Sequence, residues 1–273
     1  GSMAGDVKKH VRHCLECAKR KTLHTVAGEE QLRLYQRPCE DVGIDLIGPF
    51  PETNLFGYRY VMTCYDFFNH YLVAVPLRDK TPESVARGLV TRYFALRGCP
   101  RRLHSDRGEE FLNPILGEVT RLLSVGHRFS SAYRPQSGGQ TERCHRFLND
   151  SVSIYVNKLD HKDWDLWLYG AVFAHNTSPL QGEHGLTPFF LEFGREPVLP
   201  ESAGMQSYPL LPLSPEHYGR ALLQRLEQGR RSWETTDRER REKQKREHDA
   251  ESEPRVFEKG AYVLKKRDPK VRP

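Results

Sequence analysis

The chain has 273 residues, of which 37% are hydrophobic and 29% charged, and a formal net charge of +6. No run of about 18 apolar residues occurs, which excludes a transmembrane helix, and nothing at the start resembles a secretory signal. Most of the six cysteines (Cys14, Cys17, Cys39, Cys64, Cys99 and Cys144) stand alone, which argues against a disulfide framework and for a reducing compartment.

In chain order, residues 1–35 are polar and basic and hold one Cys-x-x-Cys, Cys14 to Cys17. Val42–Ile47 predicts a strand with Val42, Ile44 and Leu46 facing one way and Gly43, Asp45 and Ile47 the other. Tyr58–Tyr65 and Tyr71–Leu77 predict a hairpin turning at Phe68-Asn69-His70. Pro82–Leu96 reads as a helix capped by Thr81 and stopped at Gly98-Cys99-Pro100. A short strand Arg102–Ser105, a helix Glu110–Leu123, a strand His127–Ser130 and a loop Ala132–Gly139 follow. The next helix opens at Glu142. At about 100° per residue it sets Glu142, His145, Arg146, Asn149 and Ser153 on a polar face, opposite Cys144, Phe147, Leu148, Ser151, Ile154 and Tyr155. Strands alternating with helices after an antiparallel start predict an α/β fold with a mixed sheet covered by helices.

Residues 201–215 are rich in Pro and Ser and read as a linker. Residues 216–250 predict one long basic helix, with Tyr218, Leu222, Leu226 and Trp233 at helical intervals. Residues 251–273 look like the start of a small β unit. From Glu216 onward there are 17 Lys and Arg against 12 Asp and Glu, so five of the six net positive charges lie there. Such a segment suits a polyanionic partner through counterion release, or is a solvated mixed-charge helix. Cys64 and Cys99 read as small buried hydrophobes, and Trp164 and Trp167 as core or subunit interface.

Three carboxylates stand out. Asp45 interrupts an apolar strand, where desolvating a charge is costly unless it is paired or metal-bound. Asp106 directly follows a strand, the usual place for a site in α/β folds, and could equally cap the following helix. Glu142 opens a helix beside a basic stripe, where an acidic residue also suits the helix N-terminus. Hard divalent cations take oxygen ligands of this kind and can steady phosphoryl transfer. No P-loop, nicotinamide-binding glycine motif or Ser-His-Asp arrangement competes.

The spacing and the flanking residues resemble those of a retroelement integrase of the Ty3/gypsy type. Asp106 and Glu142 are separated by 35 residues, similar to the D,D-35-E pattern. Asp45-Leu46-Ile47-Gly48-Pro49, His104-Ser105-Asp106-Arg107-Gly108 with Phe111, and Tyr133-Arg134-Pro135-Gln136-Ser137-Gly138-Gly139-Gln140-Thr141-Glu142-Arg143 resemble its three motifs. Trp164-Asp165, Asn176, His184, Thr187-Pro188-Phe189 and Phe193-Gly194-Arg195 resemble the tail of such cores.

The resemblance implies an RNase H-like core at residues 36–200, a five-stranded mixed sheet flanked by helices. It implies 3′-end processing and strand transfer of element DNA into target DNA. Asp45, Asp106 and Glu142 would be the catalytic residues and the ligands of Mg²⁺ (or Mn²⁺), two ions in all. Tyr133, Gln136, Ser137, Gln140, Arg143, His145 and Arg146 would contact double-stranded DNA. His145 stands where the family usually has Asn. Cys14 and Cys17 resemble the second half of the family's His-His-Cys-Cys zinc module, whose two His ligands would lie further upstream; the pair reads as a remnant, and adjoining His13 and Cys14 are poorly placed to share one Zn²⁺. A homo-oligomer, chromatin or host protein partners, no membrane and nuclear action are also implied. Two further readings stay open: a host-adopted, integrase-like protein that binds DNA or protein partners without catalysis, and an RNase H-fold nuclease acting on RNA–DNA hybrids.

Overall fold

A computed structural model describes residue 3 and residues 34–129, 146–153, 162–180, 185–199 and 214–251. Five strands form one sheet in the order β3-β2-β1-β4-β5. They are β1 (Asp41–Ile47), β2 (Tyr60–Asp66), β3 (Leu72–Leu77), β4 (Arg102–Ser105) and β5 (Gly126–Phe129). β1, β2 and β3 pair antiparallel, whereas β4 and β5 run parallel to β1. This is the five-stranded mixed sheet that the sequence predicts.

The helices are α1 (Pro82–Gly88, continuing through a π-helical stretch Leu89–Phe94 into Ala95–Arg97), α2 (Pro114–Leu122), α3 (146–153), α4 (Trp164–Thr177), α5 (Pro188–Phe193) and α6 (Pro215–Glu251). Because strand side chains alternate between faces, the sheet builds two cores. On one face Val42, Ile44, Met62, Cys64, Val75 and Leu103 pack with Val85, Leu89 and Tyr93 of α1 and Leu116 of α2. On the other, Val61, Tyr65, Leu72 and Ala74 pack with Leu148 and Val152 of α3 and with Trp164, Leu168 and Ala171 of α4. Each such fully buried apolar side chain contributes roughly 1.5–3 kcal/mol. Leu46 joins the first core and Ile47 the second, so β1 is split between faces as predicted.

Local signals set the helix ends. The Thr81 hydroxyl accepts a hydrogen bond from the Ser84 N–H at 3.3 Å, with Pro82 in the first turn. Gly98, at φ +84°, ends α1. Cys99 then lies on the turn to β4 and is exposed, not buried as predicted, whereas Cys64 is buried. The helix expected from Glu110 starts at Pro114 instead. Asn113 caps it, its side-chain oxygen accepting from the Leu116 N–H at 2.8 Å, and residues 110–113 form a turn anchored by buried Phe111. In α3, Leu148 and Val152 are buried and Arg146 and Ser153 exposed. Phe147, predicted to face inward, is partly exposed because the buried stripe runs through Leu148 and Val152 one position on. Trp164 is a core residue whose Nε1–H donates to the Pro51 carbonyl at 2.7 Å, while Trp167 is exposed.

One compact unit runs from Leu34 to Asp237 and so includes the first part of α6. There Trp233 is 2% exposed, packed with Phe68 and Leu191, and its Nε1–H donates to the Phe68 carbonyl. Arg230 donates from Nε to the Leu191 carbonyl at 3.0 Å, on the last turn of α5. At Gly229 a Cβ would come within 2.6 Å of the Phe190 ring, so only glycine lets α6 lie this close to α5. The second unit comprises residues 1–33 and 238–273. Its described helical residues 238–251 carry i,i+4 ion pairs such as Lys245–Asp249 at 2.5 Å.

A buried polar cluster ties the β2–β3 turn to α1 and α5. Asp66 accepts from the N–H groups of Cys39 at 2.7 Å and Phe68 at 2.9 Å. Arg97 pairs with Glu192 at 2.6 Å, lies 3.8 Å from Asp66 and stacks 4.2 Å over the Tyr71 ring. Asp66 is thus occupied in holding the turn together.

Candidate active site

β1 and β4 lie side by side and parallel, with Asp41 opposite Arg102, Val42 opposite Leu103 and Gly43 opposite His104. Continued by two residues, this register sets Asp45 beside Asp106. Register partners in a parallel pair share a face, so both carboxylates belong to the face that carries Gly43, Thr63 and His104. Asp45 is half-buried, and its Oδ1 accepts from the Leu46 N–H at 2.7 Å. Burial pushes its carboxyl up to about 6; the Leu46 N–H pulls it down, and the charges of Asp106 and Glu110 raise it further. Asp106 is exposed, and its Oδ1 accepts from the Gly108 N–H at 2.9 Å, folding the chain back just past β4.

Glu110 is a carboxylate of this neighbourhood that the sequence reading placed in a helix. The Glu110 carboxyl folds back over Gly108, and its charge reaches Asp45. The readable signal was the Asn113-Pro114 helix start, which leaves Glu110 in the preceding turn.

At the start of β1, Arg102 and His104 both contact Asp41. Asp41 is buried and binds Arg102, with Nε donating at 2.7 Å, and also contacts the Arg102 Nη2 and His104 Nε2 closely. Burial opposes its ionisation, but the hydrogen bonds from His104 and Arg102 outweigh that and bring its carboxyl down to about 2. A depressed carboxylate stabilises the fold above its unfolded pKa and loses that contribution as pH falls through the folded value. Between about pH 5 and pH 2 the chain should therefore lose about 2 kcal/mol more than an Asp41→Asn variant, read by urea unfolding at each pH. Parallel losses in the two proteins would contradict the assignment.

The structure thus brings together two members of the predicted triad, Asp45 and Asp106. Glu142 lies outside the described residues, as do Tyr133, Gln136, Ser137, Gln140, Arg143, His145, Cys14 and Cys17. Arg146 is described and exposed at the start of α3. Among the described residues no group of three His, Cys, Asp or Glu is arranged to hold a metal ion, and no helix is long and apolar enough to cross a membrane. The donor chemistry at Asp45 and Asp106 nevertheless suits a hard cation. Two oxygen-donor side chains lie near enough for their charges to interact, one of them half-buried and destabilised as an anion, and a bound cation would relieve that cost.

Residues 36–135 match the integrase core domain family. Over 186 residues, 68% of its length, the chain is 30% identical to the Gag-Pol polyprotein of feline leukemia virus. Over 160 residues it is 32% identical to the retrovirus-related Pol polyprotein from transposon 412 of Drosophila melanogaster. The chain carries a retroelement integrase core. It spans 11% and 13% of the lengths of these two polyproteins. Among solved structures, a chain of the simian T-cell lymphotropic virus intasome in complex with PP2A regulatory subunit B56 gamma matches at TM-score 0.54 and 19% identity. That match covers 73% of this chain and 69% of the other, and it establishes the RNase H-like fold of the integrase core. Asp45, Asp106 and Glu110 all lie within the family-matched segment.

Proposed function

We propose that this chain performs metal-dependent DNA integration, trimming the 3′ ends of element DNA and joining them to a target duplex. The observation that carries this reading is the β1–β4 register, which lays Asp45 beside Asp106 and leaves Asp45 poorly stabilised as an anion. Asp45, Asp106 and Glu142 are the residues that would hold Mg²⁺ or Mn²⁺, with two ions the expected number. A divalent ion bound there makes the attacking oxygen a better nucleophile and neutralises charge on the leaving oxygen.

In the first step a water oxygen attacks a phosphodiester phosphorus, and the bond to the 3′-oxygen breaks. The element strand keeps a 3′-hydroxyl and the released fragment a 5′-phosphate. In the second step that 3′-hydroxyl oxygen bonds to a target phosphorus, and the displaced target strand leaves with a 3′-hydroxyl. The chain's own task is to align phosphate and nucleophile. Tyr133, Gln136 and Ser137 place the DNA backbone, and Gln140, Arg143, His145 and Arg146 hold the strand end and its phosphates. Cys14 and Cys17 are assigned to a zinc module, and the working form to a nuclear homo-oligomer with host protein contacts.

Labelled duplex ends incubated with Mg²⁺ or Mn²⁺ and a target duplex test the reading directly. Wild type should yield joined products, and Glu142→Gln should lower their yield by about a thousandfold or more, as loss of a principal charge-stabilising group does. Wild type no more active than Glu142→Gln, with DNA still bound, would favour the non-catalytic reading.

A further inference from the structure

A hydrogen-bond chain from the edge strand reaches the Asp106 peptide from the far side of the sheet. His127 on β5 is the register partner of Leu103 on β4, which places its ring diagonally beside Ser105. His127 Nε2 lies 2.9 Å from the Ser105 Oγ, and that Oγ lies 2.9 Å from the backbone carbonyl oxygen of Asp106. A hydroxyl has one proton to give, and a carbonyl oxygen can only accept. Ser105 therefore donates to Asp106 and accepts from the Nε2–H of His127. Both partners of the Ser105 hydroxyl are thereby fixed, and Ser105 itself is buried. The imidazole is held in turn against the Phe129 ring, with centroids 4.2 Å apart.

Asp106 is the first residue beyond the β4–β5 ladder, whose last register pair is Ser105 with Phe129. Its carboxylate direction depends on how its peptide is held, because its side chain is exposed and has only one rotatable bond before the carboxyl group. We propose that His127 and Ser105 are positioning residues that hold the Asp106 peptide from behind and so aim its carboxylate at the Asp45 side of the site. This rests on the reading of Asp45 and Asp106 as metal-holding residues. Neither His127 nor Ser105 touches the ion or the DNA in this role. They act as outer partners that orient a ligand, and loss of such a partner typically weakens metal affinity by about tenfold or more.

Binding of Mn²⁺ alone to the full 273-residue chain, followed by electron paramagnetic resonance, tests it without DNA or turnover. His127→Ala and Ser105→Ala should each raise the apparent Kd for Mn²⁺ by about tenfold. The double variant should bind no more weakly than Ser105→Ala, because His127 acts only through Ser105. His127→Gln keeps an N–H donor of similar reach and should recover most of the affinity. A merely structural role would instead lower the metal-free urea midpoint without this pattern, so the midpoint is measured beside each Kd. Wild-type Mn²⁺ affinity in His127→Ala, or losses that add in the double variant, would overturn the proposal. Asp106→Asn separates the two levels of the argument. Unchanged Mn²⁺ binding in that variant overturns the metal reading and the proposal with it, whereas weakened binding there beside unaffected His127→Ala overturns the positioning role alone.

Discussion

Under the proposed integration reading, Asp45→Asn abolishes strand transfer, and in metal-free buffer at pH 7.5 it should stabilise the chain by about 2 kcal/mol. The two effects have one cause. Asp45 belongs to a strand whose other side chains enter the two cores, and burial together with the charges of Asp106 and Glu110 lifts its carboxyl to about 6. A carboxyl whose folded pKa is raised costs nothing below its unfolded pKa and an increasing amount as pH rises to the folded value. The gain from asparagine should therefore be full above about pH 6 and vanish toward pH 4. Asparagine keeps the acceptor that receives the Leu46 N–H, so no buried donor is orphaned. Added Mg²⁺ should stabilise wild type and leave the variant unmoved. Urea midpoints in EDTA and in Mg²⁺, at pH 7.5 and pH 4, give all four numbers. A lower midpoint for Asp45→Asn at pH 7.5 would show that the carboxylate is structural and would remove the strongest support for the site.

Trp233→Ala should cost about 3–5 kcal/mol, a large share of the stability of a domain this size. The indole fills a cluster with Phe68 and Leu191, beside Tyr35, Leu180 and Leu186, and its N–H satisfies the Phe68 carbonyl in the β2–β3 turn. Truncation to alanine leaves both a cavity and an unpaired carbonyl. Trp233→Phe keeps most of the volume and loses only the hydrogen bond, so about 1–2 kcal/mol is expected. Cutting the chain before α6 removes the same side chain and should cost at least as much as the alanine variant. Equal midpoints for wild type and Trp233→Ala would mean that α6 is not packed on α5 in solution.

The sheet was largely legible because its strands obey the two-residue period. Val42, Ile44 and Leu46 against Ile47 sorted themselves onto opposite faces, and the Thr81-Pro82 start of α1 carried its own capping chemistry. Besides Phe147, two local readings went astray for identifiable reasons. Glu110-Phe111-Leu112 has helical periodicity, but the chain there is committed to returning from Asp106, and the helix waits for Asn113 and Pro114. Cys99 was judged by residue type, whereas its exposure follows from the turn after Gly98. The seating of α6 was hidden because its inward stripe of Leu222, Leu226 and Trp233 is sparse, and what permits close approach is a glycine, Gly229. At the site, motif spacing pointed to Asp45 and Asp106, yet only the pairing of β1 with β4 brings them together, and pairing of strands 61 residues apart is not written in any local pattern. Glu110 was invisible for the same reason, since its relevance depends on the direction of a turn.

The strand order also has a consequence for how the molecule assembles. β1, β2 and β3 form a meander joined by connections of twelve and five residues, so it pairs strands that are neighbours in sequence at modest loop-closure cost. β4 must cross the whole meander and α1 before it finds β1, which makes that pairing the high-contact-order step. Until it docks, Asp45 stands without its acidic neighbour, and the repulsion between them arises only as the last strands close. By contact order, the corner that sets Asp45 beside Asp106 is expected to close after the meander, and φ-values at Leu103 below those at Val61 would bear this out.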